Sequence, residues 1–332
     1  MSALFCEGYN NKDHYPVMMP EVLSALSPKD GEVYVDGTFG AGGYSRAMLD
    51  AADCTVYAID RDPAAIDEAS LVEKEYGSRF KFLRGRFGDV KVLLTDAGLD
   101  HVDGFVLDIG VSSMQIDQAE RGFSFRFDGA LDMRMDNNGD GQTAADIVNN
   151  YDAEDLANLI YEYGEERLSR RIARAIILRR SEKEFETTSE LAEVVRSATP
   201  KKPNDKIDPA TRTFQALRIA VNDELGELDS ALAASEDILS DGGRLVVVSF
   251  HSLEDRRVKN FLKNKSGKTD SGSRHLPARD HEKEPTIFDL PMRNKTIKPS
   301  KTEIEENPRS RSARLRYAIK LPCSTMGVSK DD

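Results

Sequence analysis

Short apolar stretches rich in β-branched residues punctuate the chain: Val33–Val35, Thr55–Ile59, Phe80–Leu83, Val102–Ile109 and Leu245–Phe250. Near-continuous apolar runs of this length mark parallel strands buried on both faces. They alternate with helix-like segments, such as Pro63 to Tyr76, which predicts an open, mostly parallel α/β sheet. The alternation stops after Ile109. Residues 116–141 are polar and irregular, yet interleaved Phe, Met and Arg argue against disorder. From Thr143 to Thr199 the apolar positions recur at helical spacing. Leu156, Leu159, Ile160 and Tyr163 share one face, as do Leu168, Ile172, Ala175 and Ile176. Asp152 with Asp155, and Ser189, read as helix starts.

The pattern therefore predicts an all-helical insertion over 116–210. It interrupts a sheet domain made of 1–115 and 211–322, and a flexible tail follows at 323–332. Within the second part, Thr211 to Leu239 reads as helix, with Phe214, Leu217, Ala220, Val221, Leu225 and Leu228 near helical spacing. Residues 264–285 read as a mobile polar loop, and Ala313 to Ile319 as the last strand.

The first strand ends in Asp36 and runs into Gly37-Thr38-Phe39-Gly40-Ala41-Gly42-Gly43-Tyr44-Ser45. Ligands of such sheets bind beyond the carboxyl ends of the strands, where this acid and these glycines sit. The dinucleotide pattern G-x-G-x-x-G fails here. From Gly40 its third glycine falls on Ser45, and from Gly37 its second falls on Phe39. An acid followed by a glycine turn suits a ligand without a pyrophosphate. S-adenosylmethionine (AdoMet) is one, with an ammonium, a sulfonium and a ribose diol for carboxylates to meet. Asp60 closes the second strand about 20 residues past the turn, where an acid accepts both ribose hydroxyls; the same residue also suits the start of the helix at Pro63. Phe87 follows the third strand, where an adenine ring would stack.

Composition narrows the classes. In 332 residues, 39% hydrophobic and 31% charged, no apolar run approaches the ~20 residues that span a bilayer. The three cysteines, Cys6, Cys54 and Cys323, form neither a metal spacing nor a disulfide framework, so a cytoplasmic protein without a metal site is expected. A net charge of −12 argues against a globally basic nucleic-acid binder. Charge is uneven, however. Arg167, Arg170, Arg171, Arg174, Arg179 and Arg180 cluster in the insertion, where a solvated helix face is the simplest reading. Residues 293–320 hold nine Lys or Arg against three Glu.

Asp36, Asp60, Asp108 and Ser249-Phe250-His251 all fall at strand ends, which a parallel sheet gathers along one edge. Methyl transfer from AdoMet needs mainly alignment and desolvation of the acceptor. For an amine acceptor, a side chain must also hold its N–H and take a proton. Asp108 and His251 are the candidates for that role, with Ser112, Ser113 and Ser249 orienting the base. Asp108 is equally suited to cofactor binding. Two other readings remain: an NAD(P)-linked oxidoreductase, which lacks its pyrophosphate turn, and a non-catalytic RNA-binding assembly factor.

Several stretches together resemble the MraW (RsmH) family of bacterial 16S rRNA cytosine-N4 methyltransferases. They include His14-Tyr15-Pro16-Val17, Val35 to Gly43, Ala58 to Asp62, Leu107-Asp108-Ile109-Gly110-Val111-Ser112-Ser113, Glu120 to Phe125 and Leu131 to Asp136. Others are Ala210 to Ala216, Val248 to Arg256 and Asn307 to Ala313. The resemblance covers roughly 14–320. It implies a class I AdoMet-dependent methyltransferase fold, Rossmann-like, with an inserted helical subdomain. The implied substrate is a cytidine in the decoding centre of 16S rRNA, within an assembled small subunit. By position, AdoMet would meet Gly42, Gly43, Tyr44, Asp60, Phe87, Asp108 and Gln115. The family usually carries His where this chain has Tyr44. In this light Arg134, Arg167, Arg170, Arg171, Arg174, Arg309 and Arg311 become expected rRNA contacts. Phe123, Phe125 and Phe127 become candidates for stacking on an unpaired base.

Overall fold

The computed structural model describes residues 16–200, 207–267 and 285–322. His14 and Tyr15, most of the 264–285 loop and the 323–332 tail lie outside the described residues. The chain forms two compact units. Residues up to Gly110, with those from Gly226 onward, make the sheet unit; Val111–Leu225 make the helical unit.

In chain order the elements begin α1 (Met19–Leu26), β1 (Val33–Asp36), α2 (Gly43–Ala51), β2 (Thr55–Asp60) and α3 (Ala64–Tyr76). Next come β3 (Phe80–Arg84), α4 (Val90–Asp96) and β4 (Val102–Asp108). The helical unit holds α5 (Ser113–Asp117), α6 (Ala144–Asn150), α7 (Ala153–Gly164), α8 (Ser169–Arg180), α9 (Thr188–Ala198) and α10 (Ala210–Asn222). The chain continues through α11 (Glu224–Ile238), β5 (Leu239–Ser249), α12 (Ser252–Lys265), β6 (Phe288–Asp289), α13 (Lys301–Glu306) and β7 (Arg314–Lys320).

The sheet runs β3-β2-β1-β4-β5-β7-β6, with β1 to β5 parallel and β7 antiparallel to both its neighbours. This is the mostly parallel α/β arrangement that the resemblance implies. Alternation along each strand divides the core. Val35, Phe105, Leu107, Leu245 and Val247 face one side, with Leu94, Leu228 and Leu262 from α4, α11 and α12. Tyr34, Val56, Val106, Val246 and Val248 face the other, with Val22, Met48 and Val72 from α1, α2 and α3. The order reverses between β1 and β4, so the C-terminal ends of these two strands border a natural crevice. At the opposite end, Arg244 ties down α1 by donating to the carbonyls of Leu26 (2.7 Å) and Ser27 (3.1 Å).

The helical unit has its own core. Leu131, Met133, Leu156, Ile160, Ile172, Ile176, Leu191, Phe214 and Leu217 are buried together. Asp152 caps α7 by accepting the amides of Glu154 (2.9 Å) and Asp155 (2.8 Å). The start expected at Ser189 is instead made by Thr187, whose capping box with Glu190 opens α9 two residues earlier. The polar loop is ordered from within: Arg121 donates to the carbonyls of Arg134 (3.2 Å) and Met135 (2.8 Å). Asn222 accepts from the Met135 amide (2.9 Å) and donates to the Met133 carbonyl (2.8 Å).

The continuous helix expected over Thr211 to Leu239 breaks at Asp223, which is left-handed (φ 49°). The break separates two destinations: Phe214 and Leu217 join the helical core, and Leu228 joins the sheet core. The helical unit thus reaches Leu225, beyond the boundary at 210 read from the pattern.

Candidate active site at the carboxyl edge of the sheet

The loops leaving β1, β2 and β4 are tied to one another by short polar contacts. The Gly37 amide donates to the Val106 carbonyl (2.9 Å), the Phe39 amide to the Ile59 carbonyl (3.0 Å), and the Gly40 amide to Asp60 Oδ2 (2.8 Å). The Asp108 amide donates to Thr38 Oγ1 (2.7 Å). Gly42 adopts φ 78°, which an L side chain rarely tolerates, and it precedes the first turn of α2. Ser45, one turn later, donates its hydroxyl to Asp36 Oδ2 (2.7 Å), and the Thr38 amide donates to Asp36 Oδ1 (3.3 Å). Asp36, 1% exposed, therefore closes the glycine turn from inside. Each of its oxygens is engaged once within the turn, so Asp36 supports the turn whether or not it also meets a ligand.

Asp60 and Asp108 differ from it. Asp60 accepts from Gly40 on one oxygen and from the Asp62 amide (2.8 Å) on the other, an arrangement that aims the carboxylate. The helix start that Asp60 also suited is made by Asp62, which accepts from the Ala64 amide (3.0 Å). Asp108 Oδ1 is buried with no hydrogen-bond partner among the described residues. A buried carboxylate oxygen without a partner is costly and asks for one.

Burial pushes all three acids up. Asp36 rises to about 6, with the Ser45 hydroxyl pulling it back and the Asp60 charge adding to the rise. Asp60 is raised by burial against the lowering effect of the Asp62 and Gly40 amides. Asp108 is raised well above the carboxylate range by burial, then by the charges of Asp36 and Glu254. Asp36 thus feels the charge of Asp60, and Asp108 that of Asp36.

Phe87 is half-buried just past β3, and the nearby Gly85 amide donates to the Asp60 carbonyl (3.0 Å). Tyr44 is buried, with its hydroxyl donating to the Val17 carbonyl, so its side chain is committed within the sheet unit. Gln115 belongs to the helical unit, where it forms a capping box with Ser112 at the start of α5.

The expected base-orienting group at the end of β5 is rearranged. Ser249 is buried in the strand, and its hydroxyl donates to the Arg314 carbonyl (3.3 Å) on β7, which removes it from the site. His251 caps α12. Its Nδ1 accepts the Glu254 amide (3.5 Å), and its Nε2 lies 2.8 Å from Glu254 Oε1, in ion-pair contact but off hydrogen-bond alignment. Both ring nitrogens thus face Glu254, so His251 serves the start of α12. Glu254 itself was assigned no role in the sequence. It is fully buried and accepts the amides of Phe250 (2.8 Å) and His251 (3.2 Å) on Oε2. The spacing His251-x-x-Glu254 is a capping-box pattern with His in place of Ser or Thr, and that was its readable signal.

In the helical unit Arg167, Arg170, Arg171 and Arg174 are exposed, and the described residues offer them no ion pair. Arg134 differs. Its guanidinium donates to both oxygens of Asp132 (2.7 and 2.8 Å) and to the carbonyl of Gly139 (2.6 Å). It braces its own loop, and the expectation of a phosphate contact falls with that. Phe125 packs edge-on against Phe214 (4.8 Å between centroids) and Phe123 lies against Arg121, whereas Phe127 is 65% exposed. Arg309 and Arg311 are exposed in the sheet unit just before β7.

The MraW methylase family pattern matches residues 11–321 of the chain. A protein named ribosomal RNA small subunit methyltransferase H from Paramagnetospirillum magneticum is 57% identical over 307 residues, 92% of this chain and 95% of that one. The protein of that name from Parvibaculum lavamentivorans is 55% identical, over 92% and 88% of the two chains. The one from Rhodospirillum rubrum is 56% identical, over 91% and 93%.

Proposed function

We propose, from the premise that this chain belongs to the MraW methylase family, that it uses AdoMet to methylate the exocyclic N4 amine of a cytidine in small-subunit ribosomal RNA. The decoding centre of an assembled small subunit is the proposed setting. The residues present fit the donor. Asp60, aimed by the Gly40 and Asp62 amides, accepts from the ribose diol, and Phe87 stacks on the adenine. The Gly42–Gly43 turn lets the amino-acid end approach the backbone closely. AdoMet, when bound, supplies a methyl group activated by its sulfonium charge.

The chain's own contribution centres on Asp108. The cytidine N4 forms a bond to the methyl carbon as the carbon–sulfur bond breaks and S-adenosylhomocysteine leaves. The nitrogen becomes cationic and must lose a proton. Asp108 Oδ1, buried and lacking a partner among the described residues, is the acceptor. That orphaned oxygen is the observation that carries the reading. The proton passes from Asp108 to water when product leaves. Reaching N4 requires taking the base out of its stack; in the helical unit Phe127, 65% exposed, offers a ring for stacking on RNA bases. Arg167, Arg170, Arg171, Arg174, Arg309 and Arg311 hold phosphates.

The test is transfer of labelled methyl from AdoMet to small subunits isolated from cells that lack the protein, with the modified nucleoside identified by mass. Wild type is expected to yield N4-methylcytidine at one position. Label in another nucleoside, or none, rejects the proposal.

A further inference from the structure

We propose that Tyr44 and Glu303 are positioning residues for methyl-donor binding, because together they clamp one peptide group of the Pro16–Met18 segment against the glycine turn. The inference rests on the donor site proposed above and adds to it two side chains that never touch the donor.

The geometry is specific. A Cβ on Gly43 would stand 2.1 Å from Pro16 Cγ and 3.1 Å from its Cβ, so the proline ring fills the space above that glycine. The next peptide is held at both polar ends. Its carbonyl, Val17 O, accepts the Tyr44 hydroxyl. Its amide, Met18 N–H, donates to Glu303 Oε1 (2.8 Å). Tyr44 lies 27 residues along the chain from Val17, and Glu303 lies 285 from Met18. One strap is therefore fastened by α2 on one side and by α13 on the other. Met18 is fully buried and left-handed (φ 54°), a conformation a non-glycine residue keeps only where its surroundings over-determine it. Tyr44 is 4% and Glu303 9% exposed, so neither bond competes much with water.

The consequence falls on Gly42 and Gly43. Two adjacent glycines have more backbone freedom than any other pair. With Gly43 packed under Pro16 and Gly42 against the Phe39 ring, that freedom is already restricted before a ligand arrives. With the strap loose, the donor must order the turn itself, and affinity drops by that cost. Transfer of the methyl group, once the donor is seated, depends on Asp108 and is unaffected.

The experiment is calorimetric titration of the full-length protein with AdoMet and with S-adenosylhomocysteine, together with steady-state methylation of small subunits. Tyr44→Phe and Glu303→Ala are each expected to raise the Kd of both ligands five- to tenfold, with kcat at saturating AdoMet and KM for the subunit changing less than twofold. Glu303→Gln keeps an acceptor oxygen for the Met18 amide and is expected to restore most of the affinity. The double variant Tyr44→Phe/Glu303→Ala should bind no worse than the weaker single variant, since both bonds hold one peptide. Pro16→Ala, which removes the ring and neither bond, should weaken binding in the same direction should a clamp variant fail to fold. Variants that melt at lower temperature yet keep wild-type Kd would reduce the clamp to a stabilising contact and overturn the proposal. So would a Glu303→Gln as weak as Glu303→Ala. Wild type that binds no AdoMet rejects the donor site first, and this inference with it.

Discussion

The two units handle charge in opposite ways. The sheet unit buries acids: Asp36, Asp60 and Asp108 sit at strand ends with raised proton affinity, the first two held by neighbouring amides and a hydroxyl, the third with Oδ1 unpartnered among the described residues. The helical unit exposes bases: Arg167, Arg170, Arg171 and Arg174 stand in solvent on and just before α8, over an apolar core that needs none of them. The difference matches the two tasks proposed above. Aligning a small donor and accepting a proton requires desolvated groups fixed in advance. Gripping a phosphate backbone works through counterion release, which solvated, adaptable cations provide. The contrast predicts a clean separation: variants in one unit should change donor use, and variants in the other should change RNA binding.

The largest effect tests the acid edge. Asp108→Asn keeps shape and removes the base, so kcat is expected to fall about 10²–10⁴-fold with AdoMet Kd within a few-fold of wild type. A variant that turns over normally breaks the assignment. Next comes the basic helix. Reversing Arg170, Arg171 and Arg174 to Glu together is expected to weaken subunit binding about 100-fold or more and to flatten its log–log salt slope by roughly two to three. AdoMet titration of the same protein should be unchanged. If binding keeps its full salt dependence, these arginines are only a solvated face.

Asp60→Ala loses a charged acceptor and should raise AdoMet Kd about 10- to 100-fold, corresponding to roughly 1.5–3 kcal/mol, with no change in RNA affinity. Arg134→Ala sharpens the comparison from within the helical unit. It removes an internal brace, so melting temperature should drop by a few degrees, with less effect on RNA than any exposed arginine. The smallest effect is a pH dependence. Asp36 titrates near 6 in the folded chain, above its ordinary value near 4. The folded state thus holds this proton more tightly than the unfolded state. The associated stability is full below about 4 and is lost as pH rises through about 6. Wild type should lose a few degrees of melting temperature relative to Asp36→Asn between pH 4 and 7, and scans of both proteins across that range check it.

Much of this was legible in the chain. Strand runs alternate with helix patterns because a sheet buried on both faces tolerates little else, and the acids at the strand ends could be named from their position. The expected roles of Ser249 and His251 changed for a local reason. A residue at the end of a strand has two sides to face, and neighbours from β7 and α12 took these side chains. Arg134 and Arg171 look alike as letters. Only folding showed that Asp132 and the turn at Gly139 claim the first.

The sequence alone determined the alternation of strands and helices and the acid-and-glycine turn, because periodicity and backbone freedom are properties of neighbouring residues. Tertiary structure decided which polar atom was left without a partner and which peptide of the Pro16–Met18 strap was gripped from both ends. Those outcomes hang on groups up to 285 residues apart, and no local pattern encodes a distance that only a folded chain creates.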